Sequence, residues 1–202
     1  VGGAFSSAAT TTLSTATSLT FGSTFAVTAG TTTFGGQTVS LPTLSVSGGT
    51  FNAGTAVVTV AGATSQSGGT ASFASTSSGP TFMGTVTQSG GTLTLGSGTS
   101  TIQGAYLMSG NGTFNAGASR LTFQSTLTMI HGTANFGTST MTVAGAATFA
   151  GTLPNIYSLI NAGTSTVTFQ GPVAVGGADG SRSVFHAQGS TMSFEFPTTA
   201  MS

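Results

Sequence analysis

The sequence predicts an all-β protein that folds as a three-sided parallel β-helix, or β-solenoid, of about eight to nine coils. Two observations carry this prediction. A short apolar-Thr-apolar motif recurs every 19 to 26 residues along the chain, and Asn and Gly recur at fixed offsets before it. A period of this length is typical of solenoids, in which each unit buries its apolar side only against its neighbours. The density of Gly, Thr and Ser disfavours amphipathic helices over most of the chain.

The last apolar residue of each motif serves as an anchor for the repeat. Period-two alternation predicts that the anchor and the residue two before it point inward, while the Thr between them points outward. The anchors are Phe21, Leu41, Val60, Phe82, Ile102, Phe123, Val143, Phe169 and Phe194.

A column of asparagines stands eight residues before the anchor, and a column of glycines follows two residues later. Gly and Asn tolerate the positive φ of a tight corner, and stacked amides form hydrogen-bonded ladders in cross-β arrays. We therefore expect a structural corner ladder. Its members are Asn52, Asn115, Asn135 and Asn161, with His186 at the same position in the last coil.

A column of large apolar residues stands nine before the anchor and is predicted to form the core together with the anchors. Its members are Phe51, Phe73, Leu93, Phe114, Ile160 and Phe185. The third strand of each coil is predicted around residues such as Phe25, Val86, Leu127 and Val173.

The domain prediction is a single β-solenoid over residues 1–202. Residues 1–12 are predicted to be an irregular N-terminal arm or cap, residues 13–195 the coils, and residues 196–202 a C-terminal tail that begins after Glu195. Residues 152–157 and 176–182 are interpreted as corner insertions, which solenoids tolerate. Coils longer than a strict hexapeptide repeat favour right-handed winding.

Charge is almost absent from this chain. It has 202 residues with two Lys+Arg and two Asp+Glu, far below the roughly 25% charged residues of ordinary soluble domains. Ser and Thr make up about a third of the residues, and the mean hydropathy is +0.35. Such a surface would leave an isolated monomer poorly soluble, which favours assembly, glycosylation or both.

The few reactive side chains do not form a recognisable catalytic or metal-binding set. Asp179 and Glu195 are the only carboxylates, whereas sugar-cleaving β-helices need a positioned pair. His131 and His186 lack nearby carboxylates or thiols that would complete a metal site. We expect no enzyme, no metal and no cofactor. There is no phosphate loop, no basic patch for nucleic acid and no apolar stretch long enough for a membrane span.

Two surface features are candidates for modification or binding. Asn111 begins the sequon Asn-Gly-Thr and is a candidate glycosylation site, although Asn-Gly is also an ordinary turn. Paired outward threonines resemble the Thr-x-Thr ice-binding face of some small β-solenoid antifreeze proteins, with interruptions at Val57 and Arg120. Thr is equally a good exposed strand residue, so both interpretations stay open. The pairs are Thr99 and Thr101, Thr140 and Thr142, and Thr166 and Thr168.

The runs Gly-Gly-Thr-Leu-Thr-Leu-Gly (90–96) and Gly-Thr-Phe-Asn-Ala-Gly (49–54 and 112–117) resemble repeats of bacterial autotransporter passengers and filamentous-haemagglutinin-type adhesins. The resemblance covers about residues 13–195 and lies in low-complexity motifs. It implies a secreted surface β-helix with an adhesive or structural role.

The leading prediction is a secreted, structural protein of the cell surface or extracellular space. It would polymerise head to tail with copies of itself through its solenoid ends or by strand addition, because almost no charge is present to block unpaired strand edges. Glycans or other surface components are further expected partners. The alternatives are a surface adhesin, with its site in the insertions at 151–160 and 176–183, and an ice-binding module using the flat Thr-rich face.

Overall fold

The computed structural model describes residues 3–14, 17–73, 78–151, 158–176 and 183–195. In these residues every regular element is a short β-strand, and the strands form three parallel sheets of nine strands each. The predicted three-sided parallel β-solenoid is thereby confirmed. Its right-handed winding stays a prediction.

Each coil contributes one strand to each sheet, so neighbours in a sheet are three strands apart in the chain. The first sheet holds β1 (Phe5–Ser7), β4 (Phe25–Val27), β7 (Leu44–Val46), β10 (Thr64–Gln66), β13 (Val86–Gln88), β16 (Tyr106–Met108), β19 (Leu127–Met129), β22 (Ala147–Phe149) and β25 (Val173–Val175). The second sheet holds β2 (Thr11–Leu13), β5 (Thr31–Phe34), β8 (Thr50–Asn52), β11 (Thr70–Phe73), β14 (Thr92–Leu95), β17 (Thr113–Asn115), β20 (Gly132–Asn135), β23 (Ser158–Asn161) and β26 (Ser183–His186). The third sheet holds β3 (Ser18–Thr20), β6 (Thr38–Leu41), β9 (Val57–Val60), β12 (Thr81–Phe82), β15 (Thr99–Ile102), β18 (Arg120–Phe123), β21 (Thr140–Val143), β24 (Thr166–Phe169) and β27 (Thr191–Phe194).

The predicted anchors align in one column of the third sheet. Strand pairing sets Leu41 beside Val60 and continues rung by rung to Phe169 beside Phe194. Within β18 the alternation is regular: Leu121 and Phe123 are buried, and Arg120 is exposed. The apolar side chains meet in a single continuous core inside the coils, where each ring contacts rings in its own rung or the next.

Glycine is required at the corner between the second and third sheets. Gly137 has φ +61°, and a Cβ built on it would lie 2.6 Å from the carbonyl oxygen of Gly117 in the preceding rung. Gly163 repeats the arrangement on Gly137 at 2.4 Å. A side chain there would push two rungs apart, so this column is a consequence of rung stacking.

Phe73 does not belong to the core column predicted for it. Ala71 pairs with Phe51 and Leu93 in that column, and Phe73 lies beside Leu95, two residues further on. The prediction was wrong because the two extra residues of this coil follow β11 instead of preceding it. Phe73 is still buried, and its ring packs edge-on against Phe82 with centroids 5.3 Å apart.

The start of the chain is more regular than the predicted irregular arm over residues 1–12. Within this range, β1 and the start of β2 pair in parallel with β4 and β5, and Phe5 stacks on Phe25 with ring centroids 4.6 Å apart. The correction follows from Phe5, which continues an interior column although its flanking Ser and Ala residues show no repeat.

Several predictions concern residues outside the described ranges. These are the insertion at 152–157, most of the insertion at 176–182, including Asp179 and Arg182, and the tail at 196–202. In the part of the chain that the structure describes, no helix has the length and apolar character needed to span a membrane.

Candidate functional surfaces

Three of the four predicted ladder asparagines are joined by their side chains at the edge of the second sheet. Asn135 Nδ2 donates to Asn115 Oδ1 at 2.8 Å, and Asn161 Nδ2 donates to Asn135 Oδ1 at 2.7 Å. The ladder continues at both ends. Asn115 Nδ2 lies 3.3 Å from Thr94 Oγ1, and His186 Nδ1 lies 3.0 Å from Asn161 Oδ1. Because that oxygen can only accept, the bond requires a proton on His186 Nδ1.

Asn52 occupies the same corner position but does not join the ladder. Its strand neighbours are Thr33 and Ser72, neither of which carries an amide. The Asn52 side chain instead accepts a hydrogen bond from the backbone N–H of Gly54 at 3.0 Å. An isolated Asn thus stabilises only its own corner, whereas the run from Asn115 to Asn161 links successive rungs.

The interior contains a polar cluster that the sequence did not predict. Tyr106 is completely buried and its hydroxyl donates to Gln88 Oε1 at 2.6 Å. Gln88 Nε2 in turn donates to the carbonyl oxygens of Thr113 at 2.9 Å and Gly91 at 3.1 Å. Burial raises the pKa of Tyr106. These bonds satisfy corner carbonyls from inside the coil, so the cluster is structural and presents no group to solvent.

The six threonines predicted for a binding face lie on the outer surface of the third sheet, in two files. The file two residues before the anchor carries a hydroxyl on every rung from Thr20 to Ser193. Its members are Thr20, Ser40, Thr59, Thr81, Thr101, Thr122, Thr142, Thr168 and Ser193. The parallel file is broken, because Val57 and Arg120 stand in register with Thr38, Thr99 and Thr140.

The second sheet carries a more regular file of threonines that the sequence analysis missed. Six successive rungs place Thr at one outward position, and an outward hydroxyl or amide lies two residues further along each strand. The first file is Thr31, Thr50, Thr70, Thr92, Thr113 and Thr133. The available signal was the Gly-Thr pair that precedes each of these strands at intervals of 19 to 22 residues.

The last described rung leaves an apolar cavity of about 350 Å³ at the end of the core. It is lined by Phe149, Phe169, Val173, Val175, Phe185, Met192 and Phe194. Phe194 is 54% exposed and Val175 is 60% exposed, although their columns are filled by buried side chains in the preceding rungs. This is the largest departure from ordinary burial in the described chain.

Asn111 is exposed in the turn before β17 and lies beside a polar cleft of about 350 Å³ on the side of the solenoid. The side chains of His131, Thr113, Thr133 and Leu159 also line this cleft. The predicted glycosylation site is therefore accessible. Whether it is modified stays a prediction.

The described charged and metal-ligating side chains do not converge. Arg120 is exposed on β18, and Glu195 is exposed just after β27. Within the described ranges, no group of three or more His, Cys, Asp or Glu residues could hold a metal ion. That the chain is not an enzyme stays a prediction, since Asp179 lies outside the described residues.

Comparisons of the chain with protein-family models, with curated proteins and with solved structures give no match. The resemblance to autotransporter passengers and filamentous-haemagglutinin-type adhesins therefore stays a prediction.

Proposed function

We propose that this chain is the structural subunit of an extracellular or cell-surface filament that grows by end-to-end addition of solenoid rungs. The observation that carries the proposal is the apolar end of the core at β25, β26 and β27. A rung of the same cross-section from a second copy would fill this end and remove its apolar surface from water, the dominant favourable term in protein association.

Backbone hydrogen bonding supports the same contact. β25, β26 and β27 stand at one end of their sheets, and β1, β2 and β3 stand at the other. Each of these six strands has one strand neighbour among the described residues, so one edge of each is free to pair. Natural proteins block such edges with charge or proline. Among the described residues of the last rung, Glu195 is the only charged residue.

The side chains at the two ends belong to the same columns. Rung-by-rung pairing places Phe5 in the column of Val173, and Leu19 in the column of Met192. Phe5 and Leu19 are themselves only partly buried. A head-to-tail junction would therefore continue each column across the boundary, and a heterologous contact of this kind propagates instead of closing.

The experiment compares a charge placed at the end with a charge placed on the side. Phe194→Lys puts an ammonium group into the proposed junction. Met83→Lys is the matched control, because Met83 is 47% exposed and lies on the side of the solenoid just after β12. Sedimentation velocity over a concentration series and electron microscopy of negatively stained samples then measure association.

We expect the parent and Met83→Lys to form filaments at the same concentrations, and Phe194→Lys to need a concentration at least about tenfold higher, the equivalent of 1.4 kcal/mol. A parent protein that stays monomeric throughout the series would refute the proposal. Equal assembly of both variants would show that the last rung is not the junction.

A further inference from the structure

The outer face of the second sheet is flat, neutral and periodic over six rungs. Its first file is threonine at every rung from Thr31 to Thr133. The second file, two residues further along each strand, consists only of Thr, Ser and Asn between Thr33 and Asn135. We refer to these two files together as the Gly-Thr face.

Glycines keep the edge of this face free of projecting side chains. Gly30, Gly49, Gly69 and Gly91 immediately precede threonines of the first file, and all four have φ between +60° and +67°. They stack so closely that a Cβ on Gly69 would lie 2.4 Å from the carbonyl oxygen of Gly49. A flat, extended ligand can therefore approach the threonines from this side without a clash.

The side chains of the face are ordered before any ligand arrives. Thr is branched at Cβ, which restricts χ1 and leaves little rotamer freedom to lose on binding. The second file is fixed further by the hydrogen bonds from Asn135 to Asn115 and from Asn115 to Thr94. The described residues give the six hydroxyls of the first file no partner within the chain, so these groups are available to a ligand.

The chemistry of the face excludes the common classes of macromolecular ligand. Between Thr31 and Asn135, no outward side chain of the second sheet is charged or aromatic. Nucleic acids and anionic membranes require Lys or Arg contacts, and single-stranded nucleic acid also uses aromatic stacking. What remains is a neutral ligand that repeats its own hydrogen-bonding groups with a period close to that of the rungs.

We propose that the Gly-Thr face binds ice. Rungs repeat about every 4.8 Å along the solenoid, and the two files lie about 6.6 Å apart across it. These spacings are comparable to the repeats of oxygen positions on the prism face of hexagonal ice. The threonine hydroxyls join that hydrogen-bonded lattice, and the adjacent methyl groups order the first layer of water between them.

The third sheet is the less suitable of the two threonine-rich faces. Its outer file contains Val57 and Arg120, and Arg120 is exposed. A guanidinium group binds its own water shell through five donors in a fixed geometry, which interrupts an ordered layer. The inference thus moves the ice-binding role from the threonine pairs predicted on the third sheet to the second sheet.

The test measures thermal hysteresis and inhibition of ice recrystallisation with the full chain and ice itself as the probe. Thr92→Tyr places a bulky ring in the centre of the Gly-Thr face, and Thr122→Tyr is its matched control on the third sheet, since both positions are half-buried on mid-solenoid strands. Thr70→Lys and Thr142→Lys form a second pair with a smaller demand on packing. Circular dichroism melting curves check that every variant folds.

We expect the parent to show thermal hysteresis, and the variants Thr92→Tyr and Thr70→Lys to lose it while both third-sheet controls keep it. Repeating the pair in the Phe194→Lys background separates this activity from filament formation. A parent without hysteresis or recrystallisation inhibition would overturn the proposal. Equal or greater loss in the third-sheet variants would overturn the assignment to the Gly-Thr face.

Discussion

The middle rungs and the last described rung place similar residues in the same columns but bury them very differently. Phe169 is 1% exposed, and Phe194, its neighbour in the anchor column, is 54% exposed although the two rings stack with centroids 5.4 Å apart. Phe149 is fully buried, and Val175 beside it in the first sheet is 60% exposed. Burial in this fold is therefore supplied by the following rung, and not by the coil to which a residue belongs.

The largest expected difference between the two regions is in the cost of deleting an aromatic ring. Phe114 is 2% exposed and its ring lies 5.4 Å from that of Tyr106, centroid to centroid. Phe114→Ala should lower the free energy of unfolding by about 3–5 kcal/mol, because it removes a buried ring and leaves a cavity. Phe194→Ala in monomeric protein should cost about 1 kcal/mol or less.

Denaturant titration of both variants at low protein concentration measures this comparison. Equal losses at the two positions would show that the end of the core is covered in the monomer, and the contrast between the regions would fail.

High pH should destabilise the interior through Tyr106. Because burial raises the pKa of this phenol, the folded state keeps its proton at pH values where the unfolded state, with a pKa near 10, has released it. Stability is thus fully present below about pH 10 and falls by about 1.4 kcal/mol per pH unit above it.

Free energies of unfolding measured between pH 8 and 11 check the role of Tyr106. Tyr106→Phe should be less stable than the parent at neutral pH, because Gln88 loses its partner, but its stability should fall less steeply above pH 10. If the slopes of the parent and Tyr106→Phe coincide, the fall has another origin.

Coupling between rungs can be measured on the asparagine ladder. Asn115→Ala and Asn135→Ala should each cost about 1–3 kcal/mol, since corner groups lose hydrogen-bond partners in a half-buried site. The double mutant should lose less than the sum of the single variants, because the two side chains share one bond.

Asn52→Ala is the control for the ladder, since it removes a corner Asn that has no amide neighbour. Paired with Asn135→Ala, it should be additive within about 0.5 kcal/mol. Full additivity for Asn115 and Asn135 as well would contradict a ladder that links rungs energetically.

The smallest expected effect is at a column of buried serine hydroxyls. Ser119, Ser139 and Ser165 repeat at one corner, and in the described structure their Oγ atoms are buried without a hydrogen-bond partner. Ser139→Ala should leave stability unchanged or raise it by about 1 kcal/mol, because an unpaired buried hydroxyl is costly. Thermal melting checks the sign. A clear loss of stability would show that the hydroxyl has a partner such as buried water.

The sequence predicted the features that depend on repetition. The anchors and the amides at Asn115, Asn135 and Asn161 recur at fixed offsets because every rung imposes the same backbone path. Phe73 was assigned to the wrong column because a spacing of 22 residues shows that two residues were inserted without showing where. The Gln88–Tyr106 cluster occurs once and therefore leaves no periodic signal.

The surface was harder to predict than the core. Threonine pairs on the third sheet stood next to the anchors and attracted attention, whereas the longer file from Thr31 to Thr133 precedes the apolar column and was passed over. Exposure of Phe194 was also not predicted, because an alternating pattern gives the direction of a side chain and not the presence of a neighbouring rung.

Hydrogen exchange as a function of protein concentration tests most directly whether the last rung is completed by a second copy. The account predicts that amides of β25, β26 and β27 exchange fast in dilute protein and become protected as concentration rises, while β18 and β19 in the middle stay protected throughout. Protection of the last rung that is already complete in dilute monomer, or that does not change with concentration, would contradict it.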